Sequence, residues 1–169
     1  WSFHQLKIKK CSDPSAKAWV MGAIDRGHEV FIVSNSATDK IEEFLDQNGY
    51  PKEKRPKVRG GARKFGLGKN PNRFLLSKSE NQTVEVDTDR PLYEAALLDI
   101  KPDAVIGDVF CLDLSLPIRL KREGKLKFSW GIFYRHRDYT PSQMVEMISG
   151  RGTQVPEVTL VRDWSQLGN

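Results

Sequence analysis

Cysteine is nearly absent from this chain: Cys11 and Cys111 stand a hundred residues apart. That spacing excludes both a zinc-ligand pair and the dense disulfide framework of a small secreted scaffold, and it points to a reducing cytoplasm. Histidine is as scarce, with His4, His28 and His136 scattered, so no histidine metal cluster is encoded. No apolar run approaches the roughly 18 residues of a membrane-spanning helix, which argues against a membrane partner. No basic, apolar targeting segment is visible at the start. Phosphate-loop chemistry fails on two counts, because Gly68-Lys69 is followed by Asn70 and the position five before Gly68 is Arg63. No G-x-G-x-x-G occurs, and neither cysteine has an arginine six residues on, those positions being Lys17 and Pro117. What is present is ample for a core: 38% of 169 residues are hydrophobic, which excludes intrinsic disorder and suits one average domain. The net charge of +5 favours anionic ligands, either phosphorylated metabolites or nucleic acid.

Residues 1–12 read equally as a short strand, through Phe3, Leu6 and Ile8, or as an ordered tail. Asp13 followed by Pro14 marks a helix start, and the apolar spacing predicts a helix up to Gly27. Glu29 to Val33 then reads as a strand buried on both faces, followed by a polar loop, Ser34-Asn35-Ser36, and a helix through Ile41, Phe44 and Leu45. From Lys52 to Arg73 there are nine Lys or Arg and one acid, Glu53, a net of +8. Residues 69–90 read as a hairpin or surface excursion. A helix from Pro91, a strand at Ala104 to Gly107, a helix from Asp113 to Arg122 interrupted near Pro117, and a strand from Phe128 to Tyr134 follow. A helix from Thr140-Pro141 and a strand from Val158 to Val161 complete a β/α alternation, which predicts one α/β domain spanning residues 1–169.

Three places carry chemistry. Gly107-Asp108 lies directly after an apolar strand, with Asp113 five residues on; two carboxylates so placed can approach one hard cation such as Mg²⁺, while a turn aspartate and a helix cap are the plainer reading. Ser34 and Asn35 precede a helix start, where a hydroxyl and backbone amides can hold a phosphoryl group, while an ordinary helix N-cap is the more common reading. Lys64, within Ala62-Arg63-Lys64-Phe65, offers a compact cation on a flexible stem.

In this order, these motifs resemble those of the haloacid dehalogenase (HAD) superfamily over roughly residues 13 to 163. Val-Ser-Asn-Ser at 33–36 is similar to its second motif, and Gly107-Asp108 through Asp113 to its fourth. The resemblance implies a Rossmann-like three-layer sandwich with a mainly parallel central sheet and no evident cap domain. It further implies a Mg²⁺-dependent phosphohydrolase acting on a phosphorylated small molecule through an aspartyl-phosphate. Ser34, with Asn35, would bind phosphoryl oxygens, Asp108 would coordinate Mg²⁺ with Asp113 second to it, and Lys64 would be the third-motif lysine, with Arg90 of Arg90-Pro91-Leu92-Tyr93 as the alternative. The first motif, an apolar strand ending in Asp-x-Asp, has no match; Asp13 follows Cys11-Ser12 with no apolar run before it. Either Phe3 to Ile8 fills that central strand, or the strand and its nucleophile lie upstream of Trp1. The alternative function is a noncatalytic HAD-like module that binds phosphorylated ligand or nucleic acid through residues 52–73.

Overall fold

The computed structural model describes residues 13–69, 72–79, 81–137 and 140–168. The expected strand at Phe3 to Ile8 lies outside them. Among the described residues the chain is mixed α/β, with small parallel and antiparallel sheets and no barrel. It divides into two compact units, one reaching to Ala62 with Gly168 added, the other spanning Arg63–Leu167. No helix among the described residues is long and apolar enough to cross a membrane.

The first unit is a helix followed by a parallel β-α-β step. Helix α1 (Pro14–Asp25) starts where the sequence signals it: the Asp13 carboxylate accepts from the amides of Ser15 at 2.9 Å and Ala16 at 3.4 Å, and Pro14 opens the first turn. Strand β1 (Phe31–Val33) leads to helix α2 (Thr38–Gln47), whose Ile41 and Leu45 are buried. Strand β2 (Lys57–Arg59) returns parallel to β1, with Phe31 opposite Lys57 and Val33 opposite Arg59. Two sequence expectations change here. The first strand begins at Phe31, not Glu29, and its residues are half-buried instead of enclosed, because β1 has one strand neighbour among the described residues. The second strand was not foreseen at all: its outer residues are charged and exposed, as suits a sheet edge that must resist further pairing.

The second unit opens with an antiparallel hairpin, β3 (Arg73–Ser79) and β4 (Gln82–Asp87), which buries Leu76 and Val86. Helix α3 (Pro91–Ile100) leads to strand β5 (Ala104–Gly107), a π-helical turn (Phe110–Leu114) and helix α4 (Ser115–Arg122). Pro117 does not interrupt α4. It sits in the first turn, where the missing N–H has no intrahelical partner to lose. Strand β6 (Gly131–Arg135), helix α5 (Ser142–Ser149) and strand β7 (Val158–Val161) follow, and a short 3₁₀ turn (Trp164–Leu167) ends the unit.

Strands β5, β6 and β7 form a three-stranded sheet in that order, all parallel, the largest sheet among the described residues. Its core is supplied by Val105, Leu114, Leu116, Ile118, Ile132 and Ile148. Because the strands are parallel, the loops that leave Gly107 and Arg135 emerge on one edge of the sheet. Ligands of open α/β sheets bind outside such carboxyl edges.

Candidate functional site

The second unit gathers four of the residues singled out in the sequence: Lys64, Arg90, Asp108 and Asp113. Asp113 organises them. Its Oδ1 accepts from the Lys64 ammonium at 2.7 Å, and its Oδ2 accepts from the backbone amides of Asp108 at 3.2 Å and Val109 at 3.0 Å. Gly107 makes this possible. A Cβ at that position would lie 2.3 Å from the Cβ of Asp113, so only glycine lets the carboxylate fold back over the strand end. The π-helical turn supplies the reach, advancing Asp113 into position above the 108–109 loop, and the Ser115 hydroxyl ties it down by donating to the carbonyl of Cys111 at 2.6 Å.

Lys64 is held as closely. Both it and Asp113 are largely enclosed, with side chains 13% and 15% exposed, and the ammonium lies 4.9 Å from the centre of the Tyr93 ring. The buried Tyr93 hydroxyl donates to the carbonyl of Asp113 at 2.8 Å, and burial drives its pKa far above the ordinary phenol value. Tyr93 therefore stays neutral and serves as a platform for the cation. Arg90 does different work from Lys64. It is 5% exposed and its guanidinium donates to the main-chain carbonyls of Lys64 and Asp87, supporting the turn that presents the lysine. Burial lowers the Arg90 pKa, while Cys111, Asp87 and Asp113 oppose that shift. Cys111 is half-buried on the π-helical turn, and burial raises its thiol pKa, partly offset by Arg90.

Asp108 faces outward. One carboxylate oxygen lies 3.4 Å from the Arg137 guanidinium, and the two side chains are 38% and 33% exposed. Arg137 was not singled out in the sequence, although a signal existed: it lies just beyond a predicted strand, on the loop that the parallel sheet rule places beside the loop of Asp108. Its backbone is fixed by Thr140, whose hydroxyl oxygen accepts from the Arg137 amide at 3.4 Å and from the Tyr134 hydroxyl at 3.2 Å.

Ser34 and Asn35 belong to the first unit. The Ser34 hydroxyl accepts from the Ser36 amide at 3.2 Å, and the main chain of the loop is pinned on all sides. The Ser34 amide donates to Arg59 at 3.1 Å, Ala62 donates to the Ser34 carbonyl at 2.9 Å, and Gly61 donates to the Ser36 carbonyl at 2.8 Å. Gly60 permits this close run, since a Cβ there would lie 2.4 Å from the Thr38 amide nitrogen. Ser34-Asn35-Ser36 is not a helix cap: Ala37 holds that place, with no side chain bonded to the first turn of α2.

A Mg²⁺ ion fits these residues through Asp108 alone. That carboxylate is solvent-facing, and Mg²⁺ commonly takes one or two carboxylates and completes its shell with water and substrate oxygens. Asp113 has both oxygens engaged inside the protein, and among the described residues no group of three or more His, Cys, Asp or Glu is placed to hold a metal.

The basic stretch is also partly accounted for. Lys54 pairs with Asp25 at 2.8 Å, Arg55 with Glu42 and Asp46 at 2.9 and 2.8 Å, and Lys57 with Glu29 at 2.7 Å. With Lys64 on Asp113 and Arg73 on Glu85, at least five of the nine basic side chains between 52 and 73 have acidic partners among the described residues. No protein-family model, no curated protein and no solved structure matches this chain.

Proposed function

We propose that this chain is the core of a HAD-type, Mg²⁺-dependent phosphohydrolase acting on a phosphorylated small molecule in the cytoplasm, with a mainly parallel central sheet as its scaffold. The observation that carries the reading is the Lys64–Asp113 pair locked onto the 108–109 loop. It joins a cation and a carboxylate-bearing loop, far apart in sequence, into one rigid polar group at the carboxyl edge of a parallel sheet.

In this reading Lys64 neutralises phosphoryl oxygens, and Asp113 holds its ammonium in place so that little reorganisation accompanies charge transfer. Asp108 holds the metal, which when bound polarises a phosphoryl oxygen and offsets its charge. An aspartate outside the matched motifs attacks phosphorus, the bond to the leaving oxygen breaks, and water then releases phosphate from the acyl-phosphate. The alternative, binding of nucleic acid through residues 52–73, is disfavoured by the internal pairing of five of its cations and by its single aromatic residue, Phe65.

Phosphate release from a panel of phosphate esters with Mg²⁺ tests the reading, using the 169-residue chain and a form extended upstream of Trp1. Lys64→Ala and Asp108→Asn are each expected to lower kcat/KM by about 10²–10³, the scale of a lost electrostatic stabiliser. Absence of turnover in both forms, or turnover indifferent to Lys64 and Asp108, overturns the reading.

A further inference from the structure

The second unit contains two cation–carboxylate pairs that differ in kind. Lys64 and Asp113 meet at 2.7 Å and are largely enclosed. Arg137 and Asp108 meet at 3.4 Å through one oxygen and are each about a third exposed. The first is a fixed strut, and the second is a loose contact within reach of solvent. Three cations, Lys64, Arg90 and Arg137, are set around Asp108 and Asp113, with Asp87 acting on Arg90 as well.

Asp108 is also the carboxylate best disposed to hold a divalent cation, and a carboxylate drawn toward a metal holds a neighbouring guanidinium less strongly. A guanidinium is a rigid fork of donors suited to the paired oxygens of a phosphoryl group. Resting on the phosphohydrolase reading above, we propose that Arg137 is a second anion-gripping cation of this site, shared between the Asp108 carboxylate and the phosphoryl oxygens of the substrate. Asp108 restrains the side chain while no anion is bound, and the Thr140 bond keeps its backbone beside the 108–109 loop in either state.

A structural role for Arg137 and this role part company in calorimetric titrations of the full chain with two probes. Arg137→Gln is expected to weaken binding of inorganic phosphate, measured with saturating Mg²⁺, by about tenfold, the loss of a charge-assisted bond. The same substitution is expected to tighten binding of Mg²⁺ alone by a few-fold, because a competitor for Asp108 is gone. Opposite signs on the two probes are the signature, since a merely unsettled fold weakens both. Arg137→Lys keeps the charge but lacks the fork and is expected to leave phosphate binding reduced. Arg151→Gln, which removes the same charge from the turn after α5, serves as the control. Phosphate affinity in Arg137→Gln equal to that of Arg151→Gln, or a parallel weakening of both probes, overturns the proposal. Lys64→Ala separates it from the reading beneath it. If Lys64→Ala loses phosphate while Arg137→Gln does not, the inference fails and the reading stands. If Arg137→Gln shows the opposite signs while Lys64→Ala binds phosphate normally, the inference stands and the role of Lys64 falls. A wild-type chain that binds no phosphate overturns both.

Discussion

The two units fix their polar loops by opposite means. In the first, Ser34-Asn35-Ser36 is held chiefly by main-chain hydrogen bonds to Arg59, Gly61 and Ala62, so its shape depends on the path of the backbone beside it. In the second, the 108–109 loop is held by one side chain, Asp113, which also holds Lys64. A loop pinned by the backbone is sensitive to added bulk and indifferent to most loss of side-chain chemistry. A loop pinned by a carboxylate is sensitive to a single deletion. The contrast yields predictions of different size in the two units.

The largest effect is expected at Asp113. Asp113→Ala removes the carboxylate 2.7 Å from an ammonium with little exposure, and with it the acceptor of two backbone amides. Removing one partner of a buried ion pair costs roughly 3–5 kcal/mol, and the residual exposure of this pair places the loss near the lower end. Urea unfolding monitored by hydrogen exchange should show that loss confined to Arg63–Leu167. Asp113→Asn keeps the size of the side chain and one acceptor, so it is expected to cost less stability while still weakening phosphate binding through Lys64. Equal stability in Asp113→Ala and wild type would contradict the carboxylate-pinned account.

The backbone-pinned account is exposed at Gly60. Its added Cβ would meet the Thr38 amide nitrogen at 2.4 Å and the Ala37 carbonyl carbon at 2.8 Å, backbone atoms that cannot rotate aside. Gly60→Ala is therefore expected to cost about 1–3 kcal/mol, the usual scale of overpacking. By contrast, Ser34→Ala, which removes only the acceptor for the Ser36 amide, is expected to cost about 1 kcal/mol or less. Reversal of that order in thermal unfolding would show that the hydroxyl, not the backbone, sets the loop.

The same contrast explains what could be read in the sequence. Helix starts at Pro14 and Pro91 and the buried strand at Ala104 to Gly107 were legible because their signals are local: a cap, a proline, an apolar run. Strand β2 was not, because a sheet edge of Lys57-Val58-Arg59 has the composition of a loop, and its strand character comes only from pairing with Phe31 to Val33. The β5 carboxylate region was legible from Gly-Asp after a strand, yet the function of Asp113 as an anchor was not. That depends on a π-helical turn that adds reach without a distinctive residue pattern. Arg137 was missed for a related reason. Its place just beyond a predicted strand is a signal only once the parallel register of β5 and β6, in which Gly107 stands opposite Tyr134, sets its loop beside that of Asp108.

The smallest expected effect lies at a partly exposed pair in the first unit, where charge serves stability and not a site. The hydrogen bond from Arg55 holds the Asp46 carboxyl below the ordinary aspartate value of 3.8; burial opposes that shift, and the positive charges of Arg55 and Lys52 reinforce it. A carboxyl whose pKa is lower in the folded than in the unfolded chain contributes stability above its unfolded value, and that contribution fades as pH falls through the folded value. Asp46→Asn should therefore lower stability slightly at neutral pH and remove part of the decline below about pH 4. Raised salt should shrink the neutral-pH difference. Arg55 also donates to Glu42 at 2.9 Å and to the carbonyl of Tyr50 at 2.7 Å, so its position survives the loss of Asp46 and the change measures the charge alone. Acid titrations of unfolding for Asp46→Asn and wild type that run parallel from neutral pH to pH 3 would show that the pair contributes nothing to the fold.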